Sequence, residues 1–207
     1  MLQRLTVAFV GDSFVAGVGD HGGLGWTGRL IASSRRPGLD LTGYPLGVRR
    51  QTSVDVAARW EAEVLARVAD AGVTAMVLSF GVNDAVAGVD GRRRVPSDVT
   101  VASLDAILAR AGTLGLPTLV VGPPPVADPA ATRRIVELDG LLQAAAERVG
   151  VPYVPVVPDL LADDDWADAV RDGDGAHPGP AGYAALAALV RPRWDAWLAE
   201  LDGAGTA

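Results

Sequence analysis

The sequence contains no cysteine and no lysine, and only two of its 207 residues are histidine. Without cysteine there is no disulfide, no thiolate nucleophile and no zinc–cysteine site, and no hint of redox compartment. All 18 basic residues are arginine, which excludes Schiff-base and Ser–Lys chemistry. The shortage of histidine leaves His21 and His177 as the only imidazoles available to act as a base. Net positive charge is lacking as well. The formal charge is −7 and the pI about 4.7, which argues against nucleic acid or an anionic lipid surface as partner. No run approaches the ~18 consecutive apolar residues of a membrane span. The apolar stretch after Met1-Leu2-Gln3-Arg4 stops at Gly11-Asp12, so it does not read as a targeting segment, and a cytoplasmic chain without stable membrane insertion is expected.

What is present describes a globular protein: 49% of residues are apolar and 21% charged. The length suits a single domain over residues 1–202, with 203–207 as a flexible tail. Short apolar runs alternate with longer helical ones, the signature of an α/β three-layer sandwich with a five-stranded parallel sheet. The strands expected are Leu5–Val10, Leu39–Leu46, Thr74–Phe80, Pro117–Gly122 and Pro152–Val156. Helices are expected over Gly25–Ser34, Ser53–Ala71, Ser97–Leu114, Pro129–Val149 and Pro180–Leu201, with starts marked by Ser53 and Ser97. In the second, Val54, Ala57, Ala58, Glu61, Val64, Leu65 and Val68 recur at helical spacing and predict the buried face. Asp84–Pro96, Pro123-Pro124-Pro125 and Asp159–Gly179 read as loops. In such a sheet ligands bind beyond the carboxyl ends of the strands, so the segments following strands are where chemistry is sought.

Four segments stand out. Gly11-Asp12-Ser13 ends the first strand, where a serine at a helix N-terminus would have free N–H groups around it; the alternative is an ordinary turn. It is not a G-x-S-x-G elbow, because Val15 stands where the second glycine belongs. Gly11, Gly17 and Gly19 do not have dinucleotide-binding spacing. Near the other end, Asp174 and His177 are three residues apart, so one turn can set a carboxylate against an imidazole; a surface turn is the alternative. The surrounding aspartates fail the EF-hand pattern, since Val170 and Gly179 fall where ligands are needed. Gly81-Val82-Asn83-Asp84 places an amide donor after the third strand, and Leu46-Gly47-Val48 a permissive backbone after the second. Each of these has a turn or packing reading of its own. His21 lies in the glycine-rich run Gly19–Gly23 and reads as a surface or rim residue; Trp26 reads as core.

Taken together, Gly11-Asp12-Ser13 with Gly17 and Gly19, Gly81-x-Asn83-Asp84, and Asp174-x-x-His177-Pro178 followed by Gly182-Tyr183 resemble the SGNH hydrolase superfamily, the GDSL-like esterases and lipases, over nearly the whole chain. The resemblance implies a flavodoxin-like SGNH hydrolase fold with Ser13 as nucleophile, His177 as base and Asp174 as its orienter. It implies an oxyanion hole from the Ser13 N–H, the Gly47 N–H and the Asn83 side chain, and it implies no metal or organic cofactor. The substrate would be a small-molecule carboxylic ester of short to medium acyl length, cleaved through an acyl-enzyme, with simple esters, lysophospholipids, thioesters and acetylated sugars all open. The chain departs from the pattern at Pro45 and Arg50, where the family often has asparagine and glycine, and at Phe14, where the motif has leucine. The first two imply a different loop, either with Arg49 or Arg50 near substrate or with both in solvent. The alternatives are a catalytically silent ester- or glycan-binding domain and a flavodoxin-like nucleotide binder, the latter disfavoured by the Asp174–His177 pair. Nothing in the sequence specifies an oligomeric state.

Overall fold

The computed structural model describes residues 3–68, 72–88 and 91–204. Five strands, β1 (Gln3–Gly11), β2 (Leu39–Gly47), β3 (Val73–Ser79), β4 (Thr118–Val121) and β5 (Tyr153–Val154), pair in parallel in the order β2-β1-β3-β4-β5. Helices α1 (Gly25–Ser33) and α8 (Pro180–Ala204) pack together on one face, and α2 (Ser53–Leu65), α4 (Ser97–Thr113) and α5 (Pro129–Arg148) cover the other. The expected α/β/α sandwich is the fold observed. Successive strand residues point to opposite faces, and the core follows that alternation. Leu5, Val7, Phe9, Ala75 and Val77 join Trp26 and Trp194 on the first face. Ala8, Val10, Met76 and Leu78 join Val56, Trp60 and Leu104 on the second.

The chain leaves β1 for β2 on one side and crosses to β3 on the other, so the sheet has its switch point at β1. Register brings Gly11 opposite both Gly47 and Ser79. Three strand ends therefore finish level, and the loops leaving them converge.

Several expectations need correction. Strand β5 is two residues long where five were expected, because Pro152 and Pro155 have no N–H for a ladder. Helix α2 ends at Leu65; residues 69–71 of the expected helix lie outside the described residues. Its buried face is Ser53, Val56, Trp60 and Val64, while Val54, Leu65 and Val68 are exposed. The Trp60 ring dominates the packing, and Ser53 is drawn inward by a hydrogen bond described below. Neither serine caps its helix: the α2 cap is Thr52, whose N–H and hydroxyl both donate to Asp55 at 2.9 and 2.8 Å, and Pro96 precedes α4. Three short helices were not expected: α7 (Asp164–Asp172) lies within an expected loop, and α3 (Val82–Ala85) and α6 (Val157–Leu161) overlap the starts of two. In α7 the Asp163 carboxylate caps the Trp166 N–H at 3.1 Å, and Trp166 and Val170, one turn apart, are buried. Helix α8 runs to Ala204, into the expected tail, and residues 205–207 lie outside the described residues. Among the described residues, no helix is long and apolar enough to cross a membrane.

Candidate active site

Ser13 follows β1 at the switch point and is nearly enclosed, at 4% exposure. No regular helix starts there: residues 13–19 form consecutive turns, with Ala16 N–H donating to Asp12 O at 3.2 Å and Val18 N–H to Ser13 O at 3.0 Å, and α1 begins only at Gly25. These turns give a helix-like bend that leaves the Ser13 N–H at its head. The Asp12 carboxylate stabilises the bend from beneath by accepting the Phe14 N–H at 3.0 Å. Full burial, with Asp84 nearby, pushes the Asp12 carboxyl up to about 7, against the lowering effect of the Phe14 and Asn83 donors.

The segment between α7 and α8 returns the chain to this serine. His177 Nε2 lies 2.7 Å from Ser13 Oγ, and His177 Nδ1 lies 2.8 Å from Asp174 Oδ2. The other Asp174 oxygen accepts the Ala176 and His177 N–H groups at 3.1 and 2.9 Å, which fixes the carboxylate relative to the ring it faces. Burial raises the Asp174 carboxyl, but these bonds from His177 and Ala176 outweigh it and hold the group at about 2. It is therefore ionised at any ordinary pH. Phe14 packs against the imidazole with ring centroids 5.0 Å apart. Gly19 makes room for this return: with φ of 91°, a Cβ there would lie 2.9 Å from Pro178 O and 3.0 Å from His177 Cβ. Tyr183 secures α8 to the same turn by donating to Val18 O at 2.7 Å.

Asn83, on α3, lines the cavity together with Ser13 and His177. Its Nδ2 donates to Gln51 O at 2.9 Å and makes a longer contact of 3.4 Å with Asp12 Oδ2. The better bond positions the amide. The longer one is the N–H that another acceptor can claim most cheaply. The cavity is about 550 Å³, with Phe14, Val82, Val86, Val126 and Ala131 as apolar wall and Arg49 and Arg50 at its edge. A second depression of about 430 Å³ adjoins it across His177, reached by Val18, Arg49 and Asp172.

Gly47 is not brought to this cavity. Val48 N–H donates to Gly11 O at 3.1 Å, and in a parallel ladder the neighbouring residue's N–H points to the opposite edge. Gly47 serves packing instead, since a Cβ there would lie 2.2 Å from Ala16 N and 2.5 Å from Asp12 O. The loop after it reaches the cavity through Arg49 and Arg50, both exposed, and Arg50 has a left-handed backbone with φ of 65°. His21 is exposed and lines neither depression, because Asp20 holds its loop aside by accepting the Gly22 and Gly25 N–H groups at 2.8 and 2.9 Å and pairing with Arg29. Trp26 lies in the core against Phe9.

Sequence reasoning missed the supports beneath the site. Asp84 is fully buried and accepts the Ser53 N–H at 3.0 Å, the Ser53 hydroxyl, and the Thr100 hydroxyl at 2.8 Å, tying α2 and α4 to the turn that carries Asn83. Arg94 reaches Arg50 O at 3.1 Å and Asn83 Oδ1 at 3.4 Å, and Arg59 donates to Gly11 O at 2.8 Å. Only the aspartate of the Gly-x-Asn-Asp block gave a signal in advance.

The same architecture occurs in solved structures. A lipase/acylhydrolase from Enterococcus faecalis superposes with a TM-score of 0.71 at 22% identity, covering 91% of this chain and 94% of its own. An acetylxylan esterase from Geobacillus stearothermophilus does so with 0.73 at 21% identity, covering 90% and 92%. A member of the lipolytic G-D-S-L family from Veillonella parvula DSM 2008 gives 0.71 at 19%, covering 90% and 96%. No curated protein matches the sequence. Residues 9–185, from the strand that delivers Ser13 to the helix that follows His177, match the family model of the GDSL-like lipases and acylhydrolases, and the chain belongs to that family.

Proposed function

We propose that the chain hydrolyses carboxylic esters of short to medium acyl length through an acyl-enzyme on Ser13. The observation that carries this reading is the unbroken relay from Asp174 through His177 to Ser13, at 2.8 and 2.7 Å, opening onto the cavity beyond the ends of β1 and β3. His177 Nε2 takes the Ser13 proton as Oγ bonds to the acyl carbon. The ionised Asp174 stabilises the imidazolium that results and keeps the ring in the tautomer that accepts. The negative oxygen of the tetrahedral intermediate is met by the Ser13 N–H and by Asn83 Nδ2, which exchanges its long contact with Asp12 for the stronger charged acceptor. Collapse breaks the ester C–O bond, and His177 returns the proton to the departing alcohol. Water, deprotonated by His177, then adds to the acyl carbon, and the acyl–Oγ bond breaks as His177 returns that proton to Ser13, releasing the acid. His177 carries each proton that moves in this scheme. The shallow, apolar-walled cavity favours a small acyl group, and acetylated sugars belong in the substrate panel beside simple esters.

The test is labelling with a fluorophosphonate probe, locating the adduct by mass spectrometry in wild type, Ser13→Ala and His177→Ala. An adduct on Ser13 that is lost in both variants is expected. A folded wild-type protein that takes no label and turns over no ester would favour a silent binding domain.

A further inference from the structure

Several arginines of this chain are committed to carboxylates, and of the exposed ones that are not, Arg35 and Arg133 lie outside the cavity lining. Arg29 pairs with Asp20, Arg59 with Glu63, Arg93 with Glu137, Arg110 with Glu61 and Arg148 with Asp105. With 25 acidic residues against 18 arginines, carboxylate partners are abundant. Yet Arg49 and Arg50, adjacent and exposed, make no ion pair or side-chain hydrogen bond among the described residues. Both line the cavity that contains Ser13, and Arg49 also lines the depression across His177. The acids lining these depressions form no ion pair with them: Asp174 faces His177, Asp128 caps α5 by accepting the Ala130 N–H at 2.8 Å, and Asp172 stands clear of Arg49. Their placement is built, not loose. Arg50 occupies the left-handed region, which costs a side-chain-bearing residue, and Arg94 holds its carbonyl at 3.1 Å.

Two unpaired guanidinia beside a nucleophile are forks for a planar oxyanion. We propose that Arg49 and Arg50 make the site selective for esters that bear an anionic group, a carboxylate, sulfonate or phosphate, on the acyl or the alcohol side. This rests on the serine-hydrolase reading above. The apolar wall of Phe14, Val82 and Val126 takes the carbon skeleton, and the arginines take the charge at its end.

Two matched ester pairs test this. On the acyl side, the p-nitrophenyl esters of hexanoate and of adipate mono-anion are compared; on the alcohol side, phenyl acetate and acetoxybenzenesulfonate. The readout is the ratio of kcat/KM for the anionic ester to that for its neutral partner. In the Arg49→Gln/Arg50→Gln double variant this ratio should fall about tenfold for at least one pair, the scale of two solvent-exposed charge contacts. The wild-type ratio should drop toward the variant's in about 0.5 M salt, where screening is nearly complete. The pair that responds identifies the side of the ester that carries the charge. Ratios equal in wild type and variant for both pairs would overturn the proposal while leaving the hydrolase reading intact. No turnover of any of the four esters, with no label on Ser13, would remove both.

Discussion

The carboxyl of Asp12 gives a prediction whose size follows from its surroundings. It adjoins Ser13, is 2% exposed, and has burial and Asp84 pushing its pKa from 3.8 to about 7. In the unfolded chain the group ionises near its ordinary value, so the folded state binds a proton that the unfolded state has lost. Stability from this group is fully present below about pH 4 and disappears as pH rises through 7. At ~1.4 kcal/mol per pH unit, the span is worth about 4 kcal/mol. Asp12→Asn preserves the shape of the neutral acid and keeps an oxygen for the Phe14 N–H, but it has no proton to lose. Urea unfolding at intervals from pH 4.5 to 8 should therefore show the variant gaining on wild type as pH rises, by about 3 kcal/mol of that span, and levelling off above about pH 7.5. Groups common to both proteins cancel in the difference, and Asp174, held at about 2, titrates outside the window. A difference that stays flat across that range would refute the assignment of a buried, protonated Asp12.

Asn83→Ala should lower turnover on the order of 10²–10³ with little change in KM, the usual cost of one oxyanion donor; wild-type turnover would remove Asn83 from the mechanism. Asp84→Ala strands two buried donors, the Ser53 N–H and the Ser53 hydroxyl, and leaves the Thr100 hydroxyl only its longer bond to Pro96 O at 3.3 Å; at about 1–3 kcal/mol for each stranded donor it should cause a large fall in Tm by calorimetry. A Tm within a degree or so of wild type would mean that the network is not what ties α2 and α4 together. Gly47→Ala drives a Cβ into the backbone of Ala16 and Asp12, so it should lose both stability and fluorophosphonate labelling at Ser13. Retained labelling at a wild-type rate would show that the turn carrying Ser13 yields without cost.

The sheet was readable because the order of apolar runs and helical stretches constrains it strongly. Five short runs separated by helices leave few topologies besides a parallel sheet covered on both faces. Element ends were less readable where tertiary contacts decide them. Periodicity gave Val54, Leu65 and Val68 the weight of core residues, but Trp60 and the pull of Asp84 on Ser53 set α2 so that Val54 and Leu65 face solvent, and Val68 lies exposed beyond its end. Helix α7 was hidden because its aspartates mask a pattern that rests on two buried residues, Trp166 and Val170. The prolines at 152 and 155 were visible, and their lack of N–H groups, applied consistently, gives the short β5.

For the site, the distance along the chain decides what could be read. Asp174 and His177 are three residues apart, so their contact is a property of one turn and follows from spacing. Ser13 and His177 are 164 residues apart, and their meeting was accessible only because a family pattern carries it. The supports have neither advantage. The Ser53–Asp84 bond spans 31 residues and the Arg94–Arg50 bond 44, and no local rule couples a serine at the start of one helix to an aspartate before another. The same reasoning explains the misassignment of Gly47. A glycine after a strand signals close approach of backbone, and close approach is what occurs, but against Ala16 and Asp12 and not against a ligand. Which of the two a glycine serves depends on the direction of its N–H, and that is set by the ladder: once Val48 bonds to Gly11, Gly47 must face the other way. The cavity-facing position in this loop then falls to the residues that follow, Arg49 and Arg50, of which Arg50 stands in place of a second glycine. The departure from the family pattern and the unpaired charge at the cavity edge are thus one feature, seen first in the sequence and then in the structure.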